Sequence, residues 1–290
     1  MLCLIVLNYN DFETTKYFVC QIKDYDSIDK IIIVDNASTD DSYKELLKLS
    51  SNKIDVINSG YNGGYGAGNN YGINYVKEKY DSKYIIISNP DVDISNETIK
   101  NCKRVLENDE KVAIASPMMK NIDGTFNYKC TWRVPTMYQY LFFSTYFFSQ
   151  LFKDFYYKKE ELNYSYEKKE VDCVAGSFLM IKLDLMLKYG MYDENIFLYC
   201  EETVLGIKMK SANLKTVVLL NDYFIHKHSV SINKSINSVI KQKKICWNSR
   251  LYVIKNYYNT NLFYNFLCYI VSKISILEVC VINCLKNIGA

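Results

Sequence analysis

Residues 2–11 read LCLIVLNYND and residues 31–40 read IIIVDNASTD, and these two stretches decide the fold. Each is a continuous apolar run of strand length that ends abruptly in polar residues. Such runs are typical of buried strands in parallel sheets, which helices cover on both faces. Residues 54–57 and 84–88 repeat the pattern, with helix-like segments between the runs. The sequence therefore predicts an α/β fold with a mostly parallel central sheet through about residue 116.

Beyond residue 116 the pattern changes. Residues 138–157 are dense in Tyr and Phe, and the chain turns helical from Ser235 onward. The aromatic stretch either packs as core or presents rings to a sugar or lipid, and the sequence leaves both readings open. We expect the remaining elements to be a strand at 171–181, short helices at 183–189 and 201–212, and a strand at 214–220.

The composition favours a globular, cytoplasmic protein. The 290 residues are 49% hydrophobic and 23% charged, which is enough apolar material for a large core. A net charge of +3 is too small to indicate nucleic-acid binding, which usually needs a clustered basic surface. The ten cysteines lie singly, with no C-x-x-C pair, so we expect reduced thiols. The N-terminus shows no signal-peptide pattern.

Four loops at predicted strand ends are unusually polar. They are Asn8–Asp11, Asp35–Asp40, Asn62–Asn70 and Asn89–Asp93. Each alone could be turn and capping chemistry, since Asx residues favour such places. Ligands of open α/β sheets bind where parallel strands end, so four polar loops meeting at one edge favour a binding site.

The third of these loops is rich in glycine. We expect a loop at residues 60–72 that leads into a helix near 71–80. Its glycines fit neither the G-x-G-x-x-G spacing nor a P-loop ending, so the sequence supports neither a dinucleotide fold nor a P-loop. Glycines at a helix entry still allow close approach by an anionic ligand.

Acidic residues supply the candidate chemistry. Asp91 follows a buried strand and a proline, and such a carboxylate can hold Mg²⁺ or Mn²⁺ together with phosphate oxygens. The alternative is a turn in which Asp93 caps the next helix. Glu201 and Glu202 open a helix, where acids also occur for dipole reasons, and either could be a general base. His226 and His228 follow a strand and could reach a metal or phosphate.

Taken together, these motifs resemble the family 2 glycosyltransferases of the GT-A fold. The resemblance is closer to the rhamnosyltransferase-like branch that builds bacterial surface polysaccharides. It covers about residues 1–232, in the family's order. The matching stretches are Val6–Asn10, Val34–Asp40, Asn62–Asn70, Ser88–Val92, Ala175–Ser177, Tyr192–Glu194, Phe197–Glu202 and His226 with Ser231.

The resemblance implies a role for each matching residue. Asp35 would pair with a pyrimidine base, and Asn8 and Asn10 would line the same pocket. Glu202 stands at the position of the catalytic base, beside Glu201. The other implied sites are the nucleotide and sugar (Asn62, Gly66, Asn70 and Asn89), the metal (Asp91 and His226) and the acceptor side (Gly176 and Ser177).

The implied reaction is a single displacement that inverts the anomeric carbon, with Mg²⁺ or Mn²⁺ as cofactor. The donor would be a dTDP- or UDP-sugar, with rhamnose favoured over hexoses by the branch resembled. The acceptor would be a saccharide or a lipid-linked saccharide. By the same resemblance, residues 1–232 form a GT-A catalytic domain and residues 233–290 a C-terminal helical extension.

Two departures keep other functions open. The base position holds Glu202 where the family more often has Asp, and residues 204–208 lack the family's further Asp and Arg. A catalytically weak or non-catalytic nucleotide-sugar-binding subunit is therefore one alternative. A sugar nucleotidyltransferase is another, although it would be expected to have a basic glycine-rich loop after the first strand.

The C-terminal segment reads as an amphipathic helix. Apolar residues recur at helical spacing from Phe263 to Leu285, and Lys273 near the middle makes a membrane-spanning helix expensive, by about 3 kcal/mol. Three arrangements stay open: docking on the catalytic domain, a homodimer contact, and lying on the inner face of the cell membrane. Basic residues that could meet anionic headgroups are Lys241, Lys243, Lys244, Arg250 and Lys255.

Overall fold

The computed structural model describes residues 1–143, 145, 146, 149, 154–227 and 238–288. Eleven strands occur in these residues, nine of them in one central sheet. In chain order the strands are β1 (Leu2–Asn8), β2 (Lys30–Asp35), β3 (Ile54–Asn58), β4 (Tyr84–Ser88), β5 (Val92–Ile94), β6 (Val112–Lys120), β7 (Thr131–Trp132), β8 (Lys168–Val171), β9 (Cys173–Val174), β10 (Phe178–Lys182) and β11 (Lys215–His226). The helices are α1 (Phe12–Ile22), α2 (Ser42–Leu47), α3 (Gly64–Lys79), α4 (Asn96–Asn108), α5 (Met137–Phe142), α6 (Leu183–Leu185), α7 (Glu201–Ser211), α8 (Val239–Tyr257) and α9 (Leu262–Ile288).

The first half of the sheet is parallel, in the order β3-β2-β1-β4. Strands β1, β2 and β4 are almost wholly buried, as in sheets that helices cover on both faces, whereas β3 at the edge is largely half-buried. The four apolar runs of the sequence match β1, β2, β3 and β4 to within a residue or two, and the predicted α/β fold is confirmed.

The second half of the sheet is mixed. β10 lies between β4 and β6 and runs antiparallel to both. β11 is parallel to β6 but antiparallel to β5 and β8. The single strand expected at 171–181 is wrong, since a turn at Gly176 and Ser177 separates β9 from β10. Apolar periodicity runs through that turn and does not reveal it.

The expected glycine loop is largely helical, because α3 begins at Gly64. A Cβ at Gly68 would lie 2.5 Å from Leu7 Cδ1, and one at Gly72 would lie 2.7 Å from Ile5 Cγ2. These glycines let α3 pack closely against β1, which explains why they sit inside a helix that would otherwise disfavour them. The loop prediction for residues 64–72 was therefore wrong.

α8 and α9 form a helical pair that packs on the rest of the chain. Trp247, Val253 and Ile254 of α8 share a buried cluster with Tyr140 of α5 and Val204 of α7. Part of the aromatic stretch is thus core. The domain boundary expected at 232/233 lies outside the described residues, as do His228 and Ser231.

Candidate functional site

The candidate site lies along the edge where β1, β2 and β4 end. Asn8, the last residue of β1, is in register with Asp35 at the end of β2. On the other side of β1, Ser88 at the end of β4 is paired with Phe178 at the start of β10. Because β10 runs antiparallel, the turn at 176–177 that precedes it reaches the same edge. Residues far apart in sequence are thereby gathered along one rim, the carboxyl edge.

Asp35 lies at this edge and is fully buried. The Ser38 backbone N–H donates to its carboxylate at 3.0 Å, and burial raises the pKa of Asp35. The side chain of Asn8 donates to Ser38 Oγ at 3.2 Å. The Asn10 side-chain oxygen accepts from the Thr39 backbone N–H at 2.8 Å. These bonds join the loop after β1 to the loop after β2 beside the Asp35 carboxylate.

Three further candidates on the donor side contact the protein itself. Asn62 Oδ1 accepts from the Gly64 backbone N–H at 3.1 Å. Asn70 donates to the Tyr192 carbonyl at 2.9 Å and accepts from the Tyr192 N–H at 3.0 Å. A Cβ at Gly66 would lie 3.0 Å from Cβ of Tyr192. Asn70 and Gly66 thus hold α3 against the segment at residue 192, and Asn62 holds the start of α3; contact of the three with a nucleotide sugar stays a prediction.

Asp91 and His226 come together although they are far apart in sequence. His226 Nε2 lies 3.2 Å from Asp91 Oδ1, and both side chains are largely buried. The antiparallel pairing of β5 with β11 sets this contact, since His226 is in register with Val92. Asp93, two residues on, is instead paired with Lys227 at 2.9 Å.

This arrangement fits a divalent cation better at Asp91 than at Asp93. A buried carboxylate beside an imidazole offers an oxygen and a nitrogen donor, whereas Asp93 faces a fixed ammonium group. No group of three His, Cys, Asp or Glu side chains that could hold a metal occurs within the described residues. A divalent ion held at Asp91 would therefore need phosphate oxygens and water for the rest of its coordination, as Mg²⁺ commonly requires.

Asn89 connects the metal candidates to the acceptor-side candidates. Its backbone N–H donates to the Ser177 carbonyl at 2.9 Å. The residue before Ser177, Gly176, donates its backbone N–H to Glu202 Oε1 at 3.2 Å. A Cβ at Gly176 would lie 2.6 Å from that same oxygen, so only glycine allows this approach. The turn at 176–177 therefore places Asn89 and Glu202 on neighbouring parts of the carboxyl edge.

Of the two acids at the start of α7, Glu201 is buried and Glu202 is half-buried. Burial, and next the charge of Glu202, raise the pKa of Glu201 well above its usual value. Burial also raises the pKa of Glu202. Glu201 Oε1 is buried and has no hydrogen-bond partner among the described residues. Raised carboxyl pKa values of this kind suit a general base that works near neutral pH.

Sequence reasoning missed the residues that position these acids. Ser249 of α8 donates to the Leu198 carbonyl at 2.7 Å. The hydroxyl groups of Tyr252 and Tyr257 both donate to Asp193 Oδ2, at 3.0 and 2.7 Å. We call these three α8 side chains the α8 clamp. No local motif marks them, because their role depends on how α8 packs.

The segment that the α8 clamp holds, residues 193–200, has an unusual backbone. Tyr199 and Cys200 have φ of 71° and 77°, in the left-handed region that non-glycine residues rarely adopt. Both immediately precede Glu201. The Phe197 carbonyl accepts from the Tyr65 N–H at 3.0 Å, and a Cβ at Gly64 would lie 2.0 Å from that carbonyl oxygen. The α3 N-terminus and α8 thus hold the same strained turn.

The fold is that of the GT-A glycosyltransferases, as comparison with solved structures shows. GalNAc-T7 with UDP, GalNAc and Mn²⁺ matches with a TM-score of 0.58 at 14% identity, over 80% of this chain and 44% of that chain. Mannosyltransferase PcManGT from Pyrobaculum calidifontis with GDP-Man and Mn²⁺ matches with a TM-score of 0.58 at 12% identity, over 95% and 69%. S. aureus TarS 1-349 with UDP gives 0.53 at 13% identity, over 90% and 75%. The chain spans less than half the length of GalNAc-T7, and no curated protein matches it in sequence.

The family follows from the sequence itself. The model of glycosyl transferase family 2 matches residues 3–188, which is more than half of the chain. The protein therefore belongs to the family 2 glycosyltransferases, and the family inferred from its motifs is confirmed.

Proposed function

We propose that this protein is an inverting glycosyltransferase that moves rhamnose or a hexose from dTDP or UDP to a saccharide or lipid-linked saccharide hydroxyl in bacterial surface polysaccharide synthesis. The observation that carries the proposal is a pair of hydrogen bonds, from the Asn89 N–H to the Ser177 carbonyl and from the Gly176 N–H to Glu202 Oε1, which links two groups at the carboxyl edge. One is the buried Asp91–His226 pair, and the other is Glu202 with its raised pKa. The first suits the diphosphate of a donor and the second suits an acceptor hydroxyl.

The donor base would meet Asp35. A buried carboxylate that already accepts one backbone N–H can accept another from a pyrimidine ring. Asn8 and Asn10 would shape this pocket, while Asn62, Gly66 and Asn70 would hold the wall formed by α3. UDP is bound in two of the matching structures and GDP-Man in a third. The test below therefore compares donors with different nucleotide bases.

Mg²⁺ or Mn²⁺ would be held by Asp91 and His226, with Asn89 close by. A divalent ion there supplies positive charge to the departing diphosphate. Two of the matching structures contain Mn²⁺, which supports this cofactor class.

Glu202 would accept the proton of the acceptor hydroxyl as that oxygen attacks the anomeric carbon. The sugar–diphosphate bond breaks on the opposite side, and the configuration inverts. The N–H of Gly176 holds Glu202 Oε1 at 3.2 Å, which fixes the carboxylate toward the 176–177 turn. Gly176 and Ser177 would therefore border the acceptor. We also propose a cytoplasmic location, supported by the ten cysteines, all of which are free.

The test compares donor binding with turnover. Thermal shifts with UDP-, dTDP- and GDP-sugars, each with and without Mn²⁺, identify the donor without an acceptor. Donor hydrolysis or transfer is then measured for wild type, Glu202→Gln and the exposed control Glu170→Gln. We expect Glu202→Gln to lose at least about 100-fold in turnover while keeping the donor-induced shift.

Other results would contradict parts of the proposal. Stabilisation by a GDP-sugar alone would remove the pyrimidine assignment of Asp35. Equal turnover in wild type and Glu202→Gln would remove the base assignment. Donor binding without turnover in the wild type would instead favour a nucleotide-sugar-binding subunit, an alternative motivated by residues 204–208, which lack the family's further Asp and Arg.

A further inference from the structure

One face of α9 packs on the protein and the opposite face is apolar and open. Val271, Ser275 and Glu278 are buried, and Glu278 accepts a hydrogen bond from the Tyr146 N–H at 2.8 Å. Side chains on the other face are 49–88% exposed, which is unusual for residues this apolar. They include Leu262, Phe263, Phe266, Leu277, Val281 and Leu285. We call this surface the α9 apolar face.

The helix is long and apolar enough to cross a membrane by length and composition, over Leu262–Leu285. However, its packed face carries the buried carboxylate Glu278, held by the backbone of Tyr146. A spanning helix would have to give up that contact and those with α8. The observed packing suits a helix that lies in the plane of a surface, with one side toward protein and the other away from it.

The charge of this region differs from that of the rest of the chain. Residues 238–288 contain seven Lys and Arg and a single acid, Glu278, whereas the whole chain has 35 basic and 32 acidic residues. The two helices thus carry a net charge of +6 and the remainder −3. Since Glu278 is buried, the exposed acids of the described structure all lie outside α8 and α9.

The exposed lysines of α8 lie on one stripe. Lys241, Lys244 and Lys255 are exposed, and their spacing of 3 and 11 residues keeps them within about 60° of one another around a helix. We call them the α8 lysine stripe. Arg250 does not belong to it. The expectation that Arg250 meets headgroups is wrong, because its guanidinium is buried against the rings of Tyr140 and Trp247.

We propose that the α9 apolar face and the α8 lysine stripe dock the protein on an anionic lipid bilayer, with α9 lying in the interface. An open apolar face on one helix, together with exposed cations on the helix packed against it, is the pattern of elements that bind such surfaces. Phe263, Phe266 and Tyr269 at one end of the face suit the headgroup level, where aromatic rings are favoured. Lys273, on the same face, can extend its ammonium group to the headgroups while its stem stays among the acyl chains.

A second copy of the chain fits this face less well. Two copies would bring together two regions of net charge +6, and Lys273 of each copy would enter the contact. Like charges in a contact oppose association, whereas an anionic surface attracts both regions. Charge complementarity therefore selects the lipid surface.

The test is flotation of the full chain with vesicles of phosphatidylcholine alone and with 30% phosphatidylglycerol. We expect binding to the anionic vesicles and at least a 10-fold loss of bound fraction in 0.5 M NaCl. The variant Phe266→Glu/Leu277→Glu should lose binding by a similar factor, whereas Ile122→Glu, changed at a residue 71% exposed on a distant turn, should not. Lys241→Gln/Lys244→Gln/Lys255→Gln should weaken binding more than the control Lys23→Gln/Lys44→Gln/Lys77→Gln.

Three results would overturn the proposal. They are absence of vesicle binding by wild type, equal binding by the α9 variant, and equal effects of the two lysine triples. Sedimentation velocity is run alongside, since a dimer that the α9 variant abolishes, without vesicle binding, would assign the face to a second copy. Circular dichroism and the donor-induced thermal shift confirm folding in each variant, so failure here is separate from failure of the proposed function.

Discussion

Two aspartates two positions apart have different surroundings, and this difference gives a test of the metal site. Asp91 faces His226, whereas Asp93 is paired with Lys227. In the presence of the donor, Asp91→Asn should weaken the Mn²⁺ response, read as the Mn²⁺ concentration that gives half of the Tm shift, by more than about 10-fold. Asp93→Asn should leave that response unchanged and cost no more than about 1 kcal/mol of stability, since its ion pair is partly exposed. Thermal-shift titrations with Mn²⁺ measure both, and equal Mn²⁺ responses in the two variants would contradict the assignment.

Glu201 is predicted to make stability depend on pH. Its pKa in the folded protein is raised by burial, so its neutral form is favoured on folding. The contribution of Glu201 is then fully present below its unfolded pKa of about 4.3 and is lost as the pH rises through the folded value. Glu201→Gln, which stays neutral, should raise Tm at pH 8 by at least about 2 °C, the shift that roughly 1 kcal/mol gives a chain of this size.

At pH 4 the Glu201→Gln difference should nearly vanish, because Glu201 is then protonated in both folded and unfolded chains. Calorimetry at the two pH values checks this. A difference in Tm that is the same at pH 4 and pH 8 would mean that the titration of Glu201 does not control it.

At the element scale, α8 is predicted to set catalytic geometry through the α8 clamp. Tyr252→Phe/Tyr257→Phe removes the two hydrogen bonds that α8 donates to Asp193 Oδ2, which loosens the clamped segment before Glu201. We expect kcat to fall by about 10- to 100-fold with little change in KM for the donor, since a base displaced by about 1 Å loses rate and not binding. Steady-state kinetics of the two constants measure the split.

The matched control for the clamp is Tyr258→Phe. Tyr258 is next in sequence and donates to the Pro135 carbonyl at 2.8 Å, so its hydroxyl holds no residue of the segment 193–200. Its loss should cost about 1 kcal/mol of stability and leave kcat unchanged. If Tyr258→Phe lowered kcat as much as the double variant, the clamp would be a general support of the fold.

The elements show how far sequence reasoning reaches. β1, β2, β3 and β4 could be predicted because strands buried on both faces leave unbroken apolar runs. Asp35, Asp91 and Glu202 could be named because their motifs are local. The start of α3 was wrongly predicted as a loop, since glycine in a loop and glycine at a tight helix–sheet contact look alike in sequence. The contacts of the α8 clamp join residues more than 50 positions apart, which no local pattern encodes. Asp91 and His226 are 135 positions apart, and only the family resemblance assigned them to one site.

At the scale of the whole molecule, the buried cluster around the central sheet and the second cluster under α8 and α9 are predicted to unfold together. The second cluster joins α8 and α9 to Tyr140 of α5 and Val204 of the acid-bearing helix, so it is not a separate domain core. The protein has two tryptophans, and Trp247 lies inside this cluster. In Trp132→Phe, the fluorescence transition of Trp247 should coincide with the loss of far-UV circular dichroism in urea.

An Ile254→Ala variant extends this test of cooperativity. Ile254 is fully buried in α8, and its truncation should cost about 2–4 kcal/mol, lowering both transitions by the same amount. Separate midpoints for the two probes would instead show that the C-terminal helices melt on their own.

The position of β10 also has a consequence for synthesis on the ribosome. β4 gains its second neighbour only when β10 is made, ninety residues after the paired Ser88. At a synthesis rate of about 5–20 residues per second, the edge of β4 that later pairs with β10 stays unpaired for on the order of ten seconds. An unpaired apolar strand is a template for wrong pairing, so nascent chains of this protein should depend on chaperones during that interval.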